Sequence, residues 1–295
     1  MVIETVFSHL YQSIKAIQVA LVLPLQRKSS TNTILLRITS AESSAISKNR
    51  VSKTASVGVL GLNPIHEMKE MSKTLKVAGL FTGHASWETP FLEGGHRVFT
   101  TDYNQDYTDC TFLGNIMDVT AEQIREHLGG NPDIMVMSPP CTTFSIASCS
   151  THWYPPAEDG TRLPRSENAV VGLEIMRKAL QLVEELKPKF WIMENPRGLM
   201  RKMTDVQNIN RKTVWYCQYG DTRAKPTDLW GVWPKSFVTR PECRNANPNC
   251  DHQRAPRGSR TGTQGLANNA MRSLIPAELC EDWYNACVRE CEGNA

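Results

Sequence analysis

The spacing of apolar and polar residues predicts strands that alternate with helices from residue 75 onward. Strand candidates are short apolar or β-rich runs at Leu75–Phe81, Arg97–Thr101, Asp133–Met137, Lys189–Met193 and Thr213–Tyr219. This alternation favours the α/β class with a mainly parallel sheet. Open folds of this class bind ligands at the carboxyl ends of their strands, so side chains that follow these runs are the first candidates for chemistry.

Helical signals fall between and after these strands. Ser166 is positioned to cap a helix that runs to Lys187, where Pro188 stops it. A second helix is expected to begin near Pro276, and a shorter one to end at Gly94-Gly95. Together with the strands, these helices describe a complete domain that starts near residue 71.

Residues 1–70 look unlike the rest of the chain. Ser, Thr, Lys and Asn dominate positions 28–56, and no hydrophobic period is sustained there. The apolar segment Ala16–Leu25 is far too short to span a bilayer. We therefore expect residues 1–70 to be a poorly ordered or non-native N-terminal extension, with Met71 as the functional start.

Composition narrows the class of protein. The chain has 295 residues and 40% hydrophobic content, which is enough for one sizeable core. Nine basic and four acidic residues give positions 1–74 a net charge of +5, whereas the other 24 basic and 26 acidic residues give −2. Nine cysteines without a disulfide-like framework or a secretory signal indicate a reduced, intracellular protein, which we expect in the cytoplasm.

Two motifs place reactive side chains directly after apolar runs. Cys141 lies in Ser-Pro-Pro-Cys-Thr-Thr-Phe-Ser after the run that ends at Met137, and Glu194 lies in Met-Glu-Asn-Pro-Arg-Gly after the run that ends at Met193. A thiol and a carboxylate at the ends of parallel strands would lie together at one edge of the sheet. A cysteine after two prolines is common as an ordinary loop thiol, so the order and spacing of both motifs carry the argument.

Together the motifs resemble the DNA cytosine-5 methyltransferase family, whose members carry a Pro-Pro-Cys nucleophile loop followed by a Glu-Asn pair. The resemblance covers roughly residues 75–290, and the compact form looks like small members carried by phages. It implies a Rossmann-like methyltransferase fold, S-adenosyl-L-methionine as cofactor and double-stranded DNA as substrate, in a protein that we expect to be monomeric. It also implies a catalytic domain at 71–232, a short target-recognition region at 233–268 and a C-terminal helix at 269–295 that completes the domain.

The resemblance assigns catalytic roles to five residues. Cys141 would add to carbon 6 of cytosine, Glu194 would hold the base at N3, and Asn195 would orient the loop. Arg223 and Lys225, an i, i+2 pair on one strand face, would place cationic groups at the cysteine loop and the target nucleotide.

The resemblance also assigns a cofactor site to the first two strands. The family opens this site with a Phe-x-Gly-x-Gly turn, which here keeps Phe81 and Gly83 but has Ala85 at the second glycine position. Asp102 would bind the ribose hydroxyls, and Asn115 would replace the usual adenine-binding aspartate. An ordinary turn or helix cap is the alternative for both. The remaining members of the expected cofactor set are Trp87, Ile116 and Pro140.

The segment Trp233–Asn268 is shorter than the usual recognition domain. Positions 235–262 hold six basic and two acidic residues, which suits phosphate contact, although a solvated loop is the alternative. We assign DNA contact to Arg254, Arg257 and Arg260, and expect the loop that carries Gln264 to fill the gap left by an extruded base.

A second possibility for this segment is metal binding. Cys243, Cys250 and His252 form a Cys-x6-Cys-x-His set that could hold zinc with Cys217 as a fourth ligand. The spacing is not a standard zinc pattern, so these residues are weak candidates and no metal is predicted.

Two other functions stay open at this point. The same reaction on tRNA is one, because a branch of the family shares these motifs. A catalytically idle nucleic-acid-binding protein of the same fold is the other, since Ala85 and Asn115 depart from the family pattern, although both Cys141 and Glu194 are retained.

Overall fold

The computed structural model describes residues 73–244, 247–253 and 269–293. Within them, one sheet has seven strands in the order β3-β2-β1-β4-β5-β7-β6. The strands are β1 Lys76–Leu80, β2 Arg97–Asp102, β3 Phe112–Leu113, β4 Ile134–Met137, β5 Phe190–Pro196, β6 Arg211–Trp215 and β7 Pro226–Val232. Strands β1 to β5 pair in parallel, and β7 runs antiparallel to β5 and β6. The predicted α/β class with a mainly parallel sheet is confirmed.

Helices cover both faces of this sheet. They are α1 Thr89–Glu93, α2 Ala121–Leu128, α3 Cys149–His152, α4 Glu167–Leu186, α5 Asn269–Ser273 and α6 Ala277–Cys291. Ser166 caps α4 as predicted, since its Oγ accepts a hydrogen bond of 3.2 Å from the Ala169 backbone N–H. Lys187 ends α4 in the left-handed conformation, directly before Pro188. No helix among the described residues is long and apolar enough to cross a membrane.

Alternating side chains of the central strands build two separate cores. Met135 and Met137 of β4 pack on one face with residues of α2 and α4, whereas Ile134 and Val136 pack on the other with residues of α1 and α6. All four β4 side chains are fully buried, which is typical of a strand covered by helices on both faces. The sheet is therefore a rigid base for the loops at its edge.

The strand order reverses between β1 and β4. From β1 the chain moves outward to β2 and β3, and it then returns to add β4 and β5 on the other side. The loops that follow β1 and β4 consequently flank the switch point, where folds of this kind bind ligands. These are the loops that carry Phe81–Ala85 and Cys141.

Several parts of the chain differ from the sequence-based expectation. The segment Thr213–Tyr219 was expected as one strand, but it is β6 followed by a 3-10 helix at Tyr216–Tyr219. The sequence analysis did not predict β3, α2, α3 or β7, and the C-terminal helix expected at 269–295 is divided into α5 and α6. The proposed extension 1–70 lies outside the described residues.

Candidate active site

Cys141 lies at the surface in the loop after β4, and hydrogen bonds hold the backbone of the residues around it. Four consecutive or nearly consecutive carbonyls of this loop accept hydrogen bonds from other parts of the molecule. These are Pro139 O from Asn195 Nδ2 at 2.8 Å, Thr142 O from Ser148 Oγ at 2.7 Å, Thr143 O from Trp153 Nε1 at 2.8 Å and Phe144 O from the Leu199 backbone N–H at 2.7 Å. Cys141 itself is exposed, so the thiol can meet a ligand while the backbone around it is held.

Gly198 allows one of these contacts. A Cβ atom at this position would lie 2.3 Å from the Phe144 carbonyl oxygen, closer than any side chain tolerates. The obstacle is backbone, which cannot rotate away as a side-chain end can. The glycine of the Glu-Asn-Pro-Arg-Gly segment therefore lets the chain after β5 lie directly against the cysteine loop.

Glu194 stands at the end of β5, beside the start of the cysteine loop. The parallel register pairs Met137 with Met193; the chain leaves the sheet after Met137, whereas β5 continues with Glu194 paired to Leu229 of β7. Glu194 is 6% exposed, and its Oε1 accepts a hydrogen bond of 2.9 Å from the Tyr216 hydroxyl. Burial raises the pKa of the Glu194 carboxyl, although Lys225 opposes this. The shift favours the protonated form of this carboxyl.

The thiol of Cys141 lies within electrostatic reach of the same groups. Desolvation by the surrounding protein raises its pKa, and the neighbouring Glu194 carboxylate raises it further. Lys225 and Arg272 lower the pKa of this thiol. These two cations favour the thiolate form of Cys141, and sequence analysis had selected Lys225 but not Arg272.

Asn195 connects the two strand ends. Its side chain is 1% exposed, and the hydrogen bond to Pro139 O ties β5 to the cysteine loop. Its Oδ1 atom is buried and meets no hydrogen-bond partner among the described residues. An amide at this position thus restrains the loop and keeps one acceptor available beside it.

Arg223 has several hydrogen-bond partners within the protein. Its guanidinium is bonded to the Asp221 carboxylate and to the carbonyl oxygens of Met271, Arg272 and Leu274. All three guanidinium nitrogens are engaged in these contacts. Arg223 therefore holds the segment before α6, and its expected role at the cysteine loop and the target nucleotide stays a prediction.

Lys225 keeps a place near the reacting groups. Its Nζ lies 4.5 Å from the centre of the Tyr216 ring and donates a hydrogen bond of 3.0 Å to Arg272 O. Burial lowers the pKa of this ammonium, and Glu194 raises it. The sequence analysis expected Arg223 and Lys225 on one strand face. β7 begins at Pro226, so both residues lie in the segment just before that strand.

The turn after β1 holds its shape through unusual backbone angles. Phe81, Gly83 and Ala85 have φ values of 60°, 52° and 56°, all in the left-handed region. The Ala85 N–H donates to Thr82 O at 2.8 Å, and the Gly83 N–H donates to Asp102 Oδ2 at 2.9 Å. Ala85 therefore adopts the conformation for which the family pattern has glycine, and Asp102 lies against the turn as expected.

Glu88 is a buried carboxyl below this turn that the sequence analysis did not select. It is 2% exposed, and burial raises its pKa to about 8. A Cβ atom on Gly79 of β1 would lie 2.1 Å from Glu88 Oε1, so the glycine makes room for the carboxyl. The acid is consequently close to neutral in the folded protein, with a hydrogen bond to Thr82.

The other expected cofactor residues have mixed surroundings. Asn115 caps the 3-10 helix at Ile116–Asp118 through a 3.0 Å hydrogen bond from the Met117 N–H to its Oδ1, so the cap alternative is observed. Ile116 is buried, and Pro140 is exposed. Trp87 is 2% exposed within the core that contains Phe91 and Trp283, and its part in the cofactor site stays a prediction.

The weak metal candidates come together in space. The ligand atoms of Cys217, Cys243, Cys250 and His252 all lie within 4.8 Å of one another. By contrast, Arg254, Arg257, Arg260 and Gln264 lie outside the described residues.

The sheet, its switch point and the cysteine-glutamate pair at its carboxyl edge define an α/β enzyme of the methyltransferase class. The family described as C-5 cytosine-specific DNA methylase matches residues 80–213. A relative named "Probable DNA (cytosine-5)-methyltransferase", from Frog virus 3 (isolate Goorha), is 26% identical over 167 residues, covering 52% of this chain and 75% of the relative. Residues 80–213 therefore match a C-5 cytosine-specific DNA methylase domain, and the enzyme class is DNA (cytosine-5)-methyltransferase.

Proposed function

We propose that the protein transfers a methyl group from S-adenosyl-L-methionine to carbon 5 of cytosine in double-stranded DNA through a covalent bond to Cys141. One observation carries the proposal. Cys141 lies in the loop after β4 and Glu194 in the neighbouring parallel strand β5, the Glu194 carboxylate acts on the pKa of the Cys141 thiol, and Asn195 ties β5 to the cysteine loop by a hydrogen bond. This arrangement brings a nucleophile and a proton-bearing carboxyl to one exposed edge.

The residues on the other side of the switch point fit the methyl donor. The left-handed turn at Phe81–Ala85 exposes backbone beside the half-buried Asp102 carboxylate, which has capacity for hydroxyl donors. Ser138, at the end of β4, has a buried hydroxyl without a partner among the described residues. When bound there, S-adenosyl-L-methionine would supply an electrophilic methyl group on a sulfonium, whose bond to that methyl group breaks in the transfer so that the sulfur leaves as a neutral thioether.

The chain's own residues prepare the cytosine for that methyl group. The Cys141 sulfur bonds to carbon 6, and the electron pair of the 5,6 double bond then allows carbon 5 to take the methyl group. Glu194 holds a proton toward N3, which offsets the charge that develops in the ring. Loss of the carbon-5 proton to a base then breaks the bond between sulfur and carbon 6, which restores the thiolate and the aromatic ring.

Lys225 and Arg272 support the thiolate in this sequence. Both cations lower the pKa of Cys141, in opposition to the desolvation and to Glu194. Protonation of Glu194 removes the second of these opposing effects, since a neutral carboxyl no longer repels the thiolate. The proton on Glu194 therefore assists the cytosine, through N3, and also the Cys141 thiolate, which the neutral carboxyl no longer repels.

A mechanism-based trap tests the proposal. Duplex DNA with 5-fluorocytosine at the target should form a stable covalent adduct with the wild-type protein, because fluorine at carbon 5 blocks the elimination. Cys141→Ser should form none. Methyl transfer from labelled donor should be measured in parallel on duplex DNA, single-stranded DNA and tRNA. An active enzyme without an adduct would contradict the covalent step, and preference for tRNA would contradict the substrate.

Contact with the DNA backbone has its own test. We propose that Arg254, Arg257 and Arg260 bind phosphates, so replacing all three with alanine should weaken binding to every sequence. The slope of log affinity against log salt should flatten by up to about 0.9 per lost contact. An unchanged slope would place phosphate binding elsewhere, and loss at one sequence alone would mark a base-reading residue.

A further inference from the structure

Four side chains from two separate segments of the chain converge beside the active site. Cys217 lies in the 3-10 helix after β6, and Cys243, Cys250 and His252 lie in the segment after β7. The four possible ligand atoms, three sulfurs and one ring nitrogen, are all within 4.8 Å of one another. The Cys243 sulfur and His252 Nδ1 are 3.7 Å apart.

These separations are close to those of a tetrahedral zinc site. Bonds of about 2.3 Å to sulfur and about 2.0 Å to nitrogen place the ligand atoms roughly 3.5–3.8 Å apart. Closing the cluster around an ion therefore requires shifts of about 1 Å or less, which rotation of cysteine and histidine side chains supplies. The separations also exceed disulfide length, and all three cysteines are free.

The surroundings resemble the outer shell of a metal centre. Cys243 is fully buried and His252 is 6% exposed. Gln218 Nε2 lies 3.8 Å from the Cys217 sulfur and 3.7 Å from that of Cys250, and Asn247 Nδ2 lies 3.6 Å from that of Cys243. Amide donors aimed at sulfur stabilise thiolates, the form that binds metal.

We propose that Cys217, Cys243, Cys250 and His252 bind one structural Zn²⁺ ion. Three thiolates and an imidazole form a complete tetrahedral set, which leaves no position for a substrate and thus favours a structural role. Soft sulfur ligands in this geometry select zinc over magnesium or calcium. All four ligands lie outside residues 80–213, so the site is separate from the matched methylase region.

The position of the ion gives it a defined task. Cys217 directly follows Tyr216, which donates to Glu194. Directly after His252, the Gln253 N–H donates to Thr222 O at 2.8 Å. Zinc would therefore fasten the segment after β7 to the edge that carries Glu194 and would fix the point from which the Arg254–Arg260 segment leaves.

Metal content is the primary test. The full chain should be produced without a polyhistidine tag, kept reduced, dialysed against metal-free buffer and analysed by elemental mass spectrometry. We expect about one zinc per chain. Cobalt substituted for zinc should give visible ligand-field bands of a tetrahedral site together with sulfur-to-cobalt charge transfer in the near ultraviolet.

Two variants and one matched control locate the site. Cys250→Ser and His252→Gln should each reduce the zinc content to a small fraction of the wild-type value. Cys291→Ser, which changes another half-buried thiol outside the cluster, should leave it unchanged. If the cluster variants fail to fold, the cobalt spectrum of the wild-type protein still decides the ligand set.

Several results would overturn the proposal. One is wild-type protein without stoichiometric zinc after refolding in excess metal, and another is a cobalt spectrum without sulfur charge transfer. The others are equal zinc loss in Cys291→Ser and a disulfide within the cluster that persists under reducing conditions. None of these measurements depends on catalysis, so the zinc proposal and the covalent mechanism fail independently. Loss of DNA binding in Cys250→Ser with donor binding retained would add that the ion organises the recognition region.

Discussion

The two loops that flank the switch point are held in place by different means. The cysteine loop is fixed by long-range hydrogen bonds, for example from Asn195 to Pro139 O and from Trp153 to Thr143 O. The turn at Phe81–Ala85 has three residues at positive φ and is joined to one neighbouring strand end, through the hydrogen bond from the Gly83 N–H to Asp102 Oδ2. The cysteine loop therefore depends on several other segments of the chain, whereas the turn depends chiefly on the backbone conformation that each of its residues permits.

This difference predicts different responses to mutation. Loss of one distant contact should displace the nucleophile, and catalysis is sensitive to displacements of about 1 Å. A change in the local turn should alter stability by the strain of a single residue, about 1–2 kcal/mol, with little effect on the other loop. Four substitutions test this contrast.

The largest effect is expected for Cys141→Ser. A serine hydroxyl is a far weaker nucleophile than a thiolate, so methyl transfer should fall by on the order of a thousandfold or more. Affinity for S-adenosyl-L-methionine, measured by calorimetry, should change by no more than a few-fold, because the sulfur meets the base. Cys149→Ser, which removes another thiol near the same loop, is the control and should stay active. Substantial turnover in Cys141→Ser would show that the sulfur is not the nucleophile.

Gly198→Ala should displace the cysteine loop, although residue 198 itself lies outside that loop. The new Cβ would lie 2.3 Å from Phe144 O, so the loop backbone must move. We expect kcat on duplex DNA to fall roughly a hundredfold while donor affinity is retained. Gly172→Ala is the contrasting variant, because its Cβ would press on the Thr143 hydroxyl, a side-chain group, at 2.6 Å. Equal losses in both variants would contradict the argument that backbone contact is what matters.

The sequence predicts those parts of the fold whose signals are local. The runs for β1, β2, β4 and β5 were located to within a few residues, and the Ser166 cap and Pro188 stop defined α4. Helix α2 also carries a local signal, the reciprocal cap of Thr120 and Gln123, which the analysis did not use. Strand β3 has two residues and offers no pattern to detect.

The remaining elements depend on tertiary partners. Strand β7 begins with Pro226 and contains Asp228, which argue against a buried strand in sequence. The fold accepts Asp228 because Arg201 and Thr213 bond to its carboxylate. The same limit applies to the site, since Glu88, Arg272 and Gly198 acquire their roles only through contacts with distant residues. The motif of Arg223 likewise does not reveal that its guanidinium bonds to carbonyls near residue 272.

Glu88→Gln removes the ionisable group beneath the Phe81–Ala85 turn and nearly keeps the size of the side chain. Burial raises the pKa of Glu88 to about 8 in the folded protein from the ordinary glutamate value of 4.5, so the folded state holds the proton more tightly than the unfolded state. The stability that this provides is complete below pH 4.5 and is lost as the pH rises through about 8. At about 1.4 kcal/mol per pKa unit, wild-type protein should lose roughly 2–3 kcal/mol from this group between pH 6 and pH 9.

Glutamine is neutral and nearly the same size, so the variant should lack that loss. The quantity to measure is the difference in unfolding free energy between Glu88→Gln and wild type at pH 6, 7, 8 and 9. Taking the difference cancels the titration of thiols common to both proteins. The difference should grow in favour of the variant as pH rises. A constant difference would show that Glu88 is not protonated in the folded state.

Ala85→Gly should give the smallest effect and tests whether the turn is governed locally. Ala85 has a φ of 56°, which costs a residue with a Cβ about 1–2 kcal/mol, and part of the gain on relieving it is offset by the greater chain entropy of glycine. We therefore expect a stabilisation of about 1 kcal/mol or less. Ala157→Gly, at a described loop alanine outside the left-handed region, should instead destabilise the protein by about 0.5–1 kcal/mol. Opposite signs in the two variants, measured by chemical unfolding, would locate the strain at Ala85.

Because this turn has no part in holding the cysteine loop, formation of the 5-fluorocytosine adduct by Ala85→Gly at saturating donor should proceed at the wild-type rate. A slower rate would show that the two loops are coupled across the switch point.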